Sequence, residues 1–389
     1  MSTLVQYTTS RTGLTGMADT ALETTLLLFG IDTYRFRTRI SALASLFALT
    51  PAQIESFLQS YGLFDGGWDN DNGYKTDSHI LDYYYVVNHL CALGNVEKMY
   101  IPPLLELDPG GITRNQRLFE LKMMGDIGLQ ALGEDGDKNV LDVGCGRGRV
   151  ASHVSDVTGA YVSGINIDPS QIKNAIQYAA RIGLDDNTDF RVSNLNDKMP
   201  YPDDHFDASY QIQAFTYCRD RTAVFKELYR VLRPGAKFSY LDWVLLDKYD
   251  ENDPAHRDAV RKTMPFIGAV DTVKYTEIET SMRDAGFTVL SSRDASSGGH
   301  QGPLIQSERS HYKWVRYFAR LFLPARFTSL LDRLKTHAEA FVTADELGLA
   351  TTSYHIVCQK PDPNRYEWEG GTKKYWNGGS DRDGGIEQV

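Results

Sequence analysis

Only four of the 389 residues are cysteine, at positions 91, 145, 218 and 358. None of them forms a CxxC pair, so neither a zinc site nor a dense disulfide framework is encoded, and all four read as reduced thiols. No run of about 18 apolar residues is present, which excludes an ordinary membrane-spanning helix. Blocks of Lys and Arg are missing as well. With 41 basic against 51 acidic residues and a net charge of −10, the chain would repel a phosphate backbone, so nucleic acid is not an expected partner. The absence of a Gly-Lys-Ser/Thr triplet excludes a P-loop for nucleoside triphosphates, and no metal is expected. Residues 1–11 lack the charged region, apolar stretch and cleavage site of a secretory signal, which makes a cytoplasmic location the expectation.

The residues that are present describe a globular protein: 42% are hydrophobic and 24% charged. The length exceeds what one hydrophobic core usually fills, so an α/β domain with an accessory region is expected. Residues 18–62 carry helical apolar spacing in two pieces, broken where Thr50 can cap a helix starting at Pro51. A Gly- and Asp-rich loop follows over 64–75, then a third helical region over 78–93. From Asn139 onward, short β-rich runs alternate with helical periods, the sequence form of βαβ units. Strands are predicted over 140–143, 161–165, 188–192, 206–212, 237–244, 288–292 and 353–359. Helices fall over 170–182, where Ile172, Ala175, Ile176 and Ala179 share one face, and over 222–232 and 275–285.

Seven strands in a mostly parallel sheet are therefore expected. Residues 1–75 form an N-terminal helical extension, 76–361 the main domain and 362–389 a mobile tail. An insertion over about 295–350 brings Trp314, Tyr317, Phe318, Phe322 and Phe327 before the last strand. An aromatic insertion there is well placed to cover a pocket beyond the strand ends, with Trp314 touching the bound substrate. Residues 309–327 mix Trp and Phe with Arg and Lys, so this segment either packs on the domain or makes peripheral contact with a membrane.

The first strand runs straight into Leu141-Asp142-Val143-Gly144-Cys145-Gly146-Arg147-Gly148. Glycines at 144 and 146 let the backbone bend sharply and bring main chain, Cys145 included, close to a ligand. Such a loop also serves dinucleotides, or is only a tight turn. A sulfonium nucleoside is favoured because Asp142 precedes the glycines and because Asn166 and Asp168 follow about 20 residues later, the usual distance to a ribose partner. Asn194 and Leu195, after the third strand, are expected at the adenine edge, and Gln211 closes the cofactor set.

Three stretches carry a resemblance: VLDVGCGRGRV at 140–150, ELYRVLRPG at 227–235 and LDWVLLDKYDENDPAHR at 241–257. From Tyr83 to Pro361 the chain resembles the sterol 24-C-methyltransferase family of class I S-adenosylmethionine-dependent methyltransferases. The resemblance implies a Rossmann-like methyltransferase fold, S-adenosylmethionine as cofactor, and Tyr83 or Tyr84 in a lid over the methionine part. Two family segments are altered. The YEYGWG box is replaced by Cys91-Ala92-Leu93-Gly94-Asn95-Val96. The IEATCHAP segment reads Ile212-Gln213-Ala214-Phe215-Thr216-Tyr217-Cys218-Arg219, with an amide at 213 where a carboxylate is expected. A further acidic position survives as Asp242.

Methylation of an alkene creates a carbocation that needs carboxylates or aromatic faces and a base. The altered segment therefore points to a small, largely apolar acceptor with a nucleophilic carbon, oxygen or nitrogen, on a specialised metabolite such as a terpenoid, sterol-like compound or polyketide. Gln213, Phe215 and Trp314 are the expected substrate contacts, and Tyr217, Asp242 and His300 the candidate bases. Alternatives are a genuine sterol 24-C-methyltransferase, a cyclisation or rearrangement with the cofactor acting electrostatically, and a noncatalytic subunit. The sequence names neither the acceptor nor the oligomeric state.

Overall fold

The computed structural model describes residues 33–60, 64, 73–93, 96–107, 111–307, 317, 325–363, 366–369 and 372–375. The chain divides into two compact units: residues up to Leu58 together with Asp82–Glu97, and Gln59–Leu81 together with Lys98–Val389. In the first unit, helices α1 (Thr33–Phe47) and α2 (Pro51–Ser60) are separated where expected. Thr50 caps α2 reciprocally: its hydroxyl accepts from the Gln53 amide at 3.2 Å while its own amide donates to Gln53 Oε1 at 2.9 Å. Phe57 stacks on Tyr83, which lies in the later part of α3 (Gly73–Leu93).

The second unit is built on seven strands: β1 (Asn139–Val143), β2 (Tyr161–Asn166), β3 (Thr188–Val192), β4 (Phe206–Ile212), β5 (Leu232–Leu245), β6 (Thr288–Asp294) and β7 (Ala350–Gln359). Their order is β3-β2-β1-β4-β5-β7-β6, parallel except for β7, which runs antiparallel to both neighbours. The order reverses between β1 and β4, so their carboxyl ends open a crevice. Among the described residues, 366–369 and 372–375 pair as an antiparallel hairpin, in the region read from sequence as a mobile tail.

Helices α4 (Gly111–Asp126), α5 (Arg149–Thr158) and α6 (Pro169–Ile182) cover one face of the sheet, where Phe119, Met123, Val154 and Ile172 meet Val140, Val162 and Leu241. Helices α7 (Arg221–Val231) and α9 (Tyr275–Asp284) cover the other face, where Phe225, Leu228, Ile278 and Met282 meet Leu141, Val143, Phe238 and Ile356. Each of these buried side chains contributes on the order of 1.5–3 kcal/mol. Between them in sequence, α8 (Pro254–Ile267) is capped by Asp253 and started by Pro254. The insertion contributes α10 (Gly302–Ser307) and α11 (Ala325–Glu346), and α11 lies on α8 with Phe341 and Phe266 at 5.7 Å. Trp314 and most of 309–327, including the proposed membrane-facing segment, lie outside the described residues. Among the described residues no helix is long and apolar enough to cross a membrane.

Candidate active site

The loop after β1 holds its glycines in the left-handed region, with φ of 80° at Gly144, 52° at Gly146 and 70° at Gly148. A Cβ at 144 would stand 2.3 Å from the Ala214 methyl, and one at 148 would stand 2.7 Å from Ala175 Cβ and 2.8 Å from the Phe190 ring. The amides of Gly144 and Cys145 both donate to the Ile165 carbonyl, at 2.9 and 3.0 Å, which ties the bend to the end of β2. The Cys145 side chain is buried and packs on Gly164 beneath the loop, so this residue can offer a ligand only its backbone.

Asp142 lies under this bend. It is 3% exposed, points to the α4 face, and accepts a hydrogen bond from the Tyr210 hydroxyl at 3.0 Å across the β1–β4 ladder. Burial pushes its carboxyl up to about 7; the Tyr210 bond opposes this and the charge of Glu120 adds to it. Glu120 itself is buried on α4 and takes bonds from Tyr100, Lys98 and His153. Burial raises the Glu120 pKa, but the His153 bond and the Lys98 charge outweigh it and leave a net lowering, so Glu120 stays anionic. Neither Tyr210 nor Glu120 stands out in the sequence, because only the register of parallel strands brings them to Asp142.

The next two strand ends fit the ribose and adenine roles less directly than expected. Asn166 ends β2 half-buried, with Nδ2 donating to Gln171 Oε1 at 3.0 Å. Asp168, read as a second ribose partner, is instead the N-cap of α6, accepting from the Ser170 and Gln171 amides at 2.7 and 3.4 Å. Asn194 Nδ2 donates to Asp77 at 3.0 Å, and its Oδ1 accepts from the amide and the side chain of Asn196. Asp77 also receives Arg219, a latch 142 residues apart in the chain that carries no local sequence signal. Leu195 packs partly buried on the core beside it.

Several expected contacts prove to be supports. Gln211 is fully buried, donating to the Leu241 carbonyl and accepting from the Ala214 amide, so it holds the turn after β4 rather than a ligand. Phe215, expected at the substrate, is fully buried among Phe225, Phe238 and Tyr240. Gln213 spends its amide on the backbone of Ile101 and Thr352. Asp242 is 2% exposed, and its two oxygens accept from the Phe215 and Trp243 amides at 2.8 Å each. Burial raises its carboxyl to about 6 against those two amides and the charge of Arg221. It anchors the turn and is not open to an acceptor.

Tyr217 donates its hydroxyl proton to the Gly268 carbonyl at 2.6 Å. A phenol that gives its proton to a backbone carbonyl is set up as a structural donor and not as a phenolate base, and Tyr217→Phe is expected to lower the methylation rate by less than about threefold while costing about 1 kcal/mol of stability. A general base would show a loss of about 100-fold or more in the same single-turnover assay. His300 Nδ1 donates to the Asp345 carbonyl at 3.1 Å and lines a cleft of about 330 Å³ with Asp247, Lys248, Tyr275 and Tyr354. None of residues 144–148 lines that cleft. Tyr83, buried, and Tyr84, half-buried, meet edge to face at 5.3 Å in the first unit.

A bare-backbone bend, with an anion-capable Asp142 below it and an amide at the β2 end, suits a cationic nucleoside better than a pyrophosphate. The backbone of 144–146, Asn166 and the Leu195 main chain would hold such a group, with Asp142 acting on its charge from beneath the loop. When bound, S-adenosylmethionine supplies an electrophilic methyl group; the chain's share is to orient it and exclude water.

Fold and loop together define a class I methyltransferase. A methyltransferase domain model matches residues 141–240. The sterol 24-C-methyltransferase ERG6 of Saccharomyces cerevisiae is 35% identical over 81% of this chain and 80% of its own length. The sterol 24-C-methyltransferase of Pneumocystis carinii is 34% identical over 52% of this chain, which spans about half (54%) of that relative. Among solved structures, the [4+2]-cyclase SpnF superposes with a TM-score of 0.58 at 20% identity, over 74% of this chain and 97% of that one. The chain belongs to the sterol methyltransferase-like family of class I methyltransferases, and its cofactor is S-adenosylmethionine.

Proposed function

We propose that the enzyme methylates a small, largely apolar acceptor at a nucleophilic carbon, oxygen or nitrogen, on a specialised metabolite such as a terpenoid or polyketide. The observation that carries this reading is the amide at 213, bonded to two backbone carbonyls, in a segment where the resemblance leads one to expect a carboxylate. An amide so engaged neither neutralises a carbocation nor accepts a proton from one, and Asp242 is occupied by two backbone amides. Methyl transfer to a nucleophile needs neither group, because in-line positioning and water exclusion supply much of the acceleration. A cytoplasmic location, with at most peripheral membrane contact, belongs to the same reading.

The test is to incubate purified enzyme and methyl-labelled cofactor separately with a panel of Δ24 sterols and with an extract of the source cells, and to identify labelled products by mass spectrometry. The expected outcome is a labelled non-sterol product and no 24-C-methyl sterol. Efficient 24-C methylation would overturn the proposal in favour of a sterol 24-C-methyltransferase. Product formed without matching S-adenosylhomocysteine would favour a cyclisation or rearrangement.

A further inference from the structure

We propose that Gln213 is a positioning residue of the cofactor site, and that against the Ile101 and Thr352 carbonyls of this chain a neutral amide is needed to hold the glycine loop in its binding geometry. The proposal rests on the assignment of S-adenosylmethionine to that loop.

Gln213 follows β4 directly and sits at φ +52°, a left-handed conformation that is strained for a residue bearing a side chain. Three side-chain bonds offset that cost. Nε2 donates to the Ile101 carbonyl at 2.7 Å and to the Thr352 carbonyl at 3.0 Å, while Oε1 accepts from the Ile101 amide at 3.1 Å. The backbone amide of Gln213 donates to Leu241 at 2.7 Å. The residue thus joins three stretches far apart in sequence: the extended segment around Ile101, β5 at Leu241 and the start of β7.

Among the described residues that extended segment pairs with no strand, and side chains hold much of its length. Gln116 donates to the Tyr100 carbonyl at 2.9 Å, Gln301 to the Pro102 carbonyl at 2.8 Å, and the Leu104 amide to Ser296 Oγ at 3.0 Å. Gln301 Oε1 in turn accepts from the Thr352 amide at 3.2 Å. Gln213 and Gln301 therefore fix the same segment to the same strand start, and Gln213 alone reaches the turn beside the cofactor loop.

One peptide bond beyond it is Ala214, whose methyl occupies the space a Cβ on Gly144 would need, 2.3 Å away. A shift of residue 213 moves Ala214, and Ala214 bears on Gly144 with no side chain between them to absorb the change. The chemistry required at 213 is two donors and one acceptor, which only a neutral amide supplies. A carboxylate would face two carbonyl oxygens with no proton to share; a protonated acid restores one donor and one acceptor. A glutamate at 213 would therefore report its own protonation through cofactor affinity, because repulsion from the carbonyls raises its pKa.

The experiment compares wild type, Gln213→Glu and Gln213→Met by calorimetric titration with S-adenosylhomocysteine at pH 6 and pH 8, each variant taken relative to wild type at the same pH. Gln213→Glu is expected to bind about tenfold or more weakly at pH 8 and within about threefold at pH 6, and Gln213→Met about tenfold more weakly at both. Wild-type affinity in Gln213→Glu at pH 8, or a deficit independent of pH, would overturn the proposal. Urea unfolding in parallel separates stability from positioning, and a variant that loses stability with unaltered affinity counts against it. If Gln213→Glu does not stay folded at pH 8, Gln213→Met carries the test alone, with unaltered affinity overturning the proposal. A wild type that binds no S-adenosylhomocysteine would instead refute the cofactor assignment beneath it.

Discussion

Gly144→Ala is expected to weaken S-adenosylmethionine binding by about 100-fold or more and to destabilise the fold by about 3–5 kcal/mol. Two costs add. The new methyl would stand 2.3 Å from Ala214 Cβ, and the residue would have to keep φ near +80° with a side chain attached. The costs can be separated, because Ala214→Gly in the same chain removes the collision and leaves the backbone strain. The double variant is expected to recover part of the stability, about 1–3 kcal/mol, and only part of the affinity. Calorimetry and urea denaturation of the single and double variants check this, and full recovery would place the whole effect in the collision.

Asp142→Asn is expected to stabilise the ligand-free enzyme at pH 8 while weakening the cofactor by about tenfold or more. Its carboxyl is raised from an ordinary value of 3.8 to about 7 by burial. Well below pH 4 the group is protonated in folded and unfolded chains alike and costs nothing. Between about 4 and 7 the unfolded chain gives up the proton that the folded chain keeps, so stability falls as pH rises. Above 7 the full cost is present, on the order of a few kcal/mol. An asparagine keeps the acceptor for Tyr210 and carries no such slope, but it also lacks the negative charge that opposes a cationic ligand. Urea midpoints at pH 5 and pH 8 are expected to lie closer together in the variant than in wild type, and an unaltered slope would mean that Asp142 is not the group titrating.

How far the sequence could be read depended on whether local patterning or long-range packing decided the structure. The strands over 188–192 and 206–212 keep their expected bounds, and the Thr50-Pro51 break is a true helix start, because patterning and capping are properties of neighbours in sequence. Asp168 is expected from its spacing at the ribose, and in the structure its carboxylate caps α6, which Pro169 starts. Helix α4 escaped notice because its buried face mixes Phe119 and Met123 with Asn115, Gln116 and Glu120, which blurs the apolar period. Helix α8 was hidden within the family motif, although Asp253 and Pro254 mark its start.

The site itself divides the same way. The glycine bend is local and was legible. The roles of Gln211, Gln213, Phe215 and Asp242 were not, since each is decided by a partner between 3 and 139 positions distant in the chain. An amide in a motif looks like a ligand contact until the carbonyls it serves are seen.

Titration calorimetry of the intact enzyme with S-adenosylmethionine and S-adenosylhomocysteine at pH 7.5 tests the central claim most directly. Saturable binding of both, one molecule per chain and with dissociation constants of about 1–100 μM, weakened about 100-fold or more by Gly144→Ala, is the predicted result. Folded protein that gives no binding heat with either nucleoside across a range of temperatures would contradict the account.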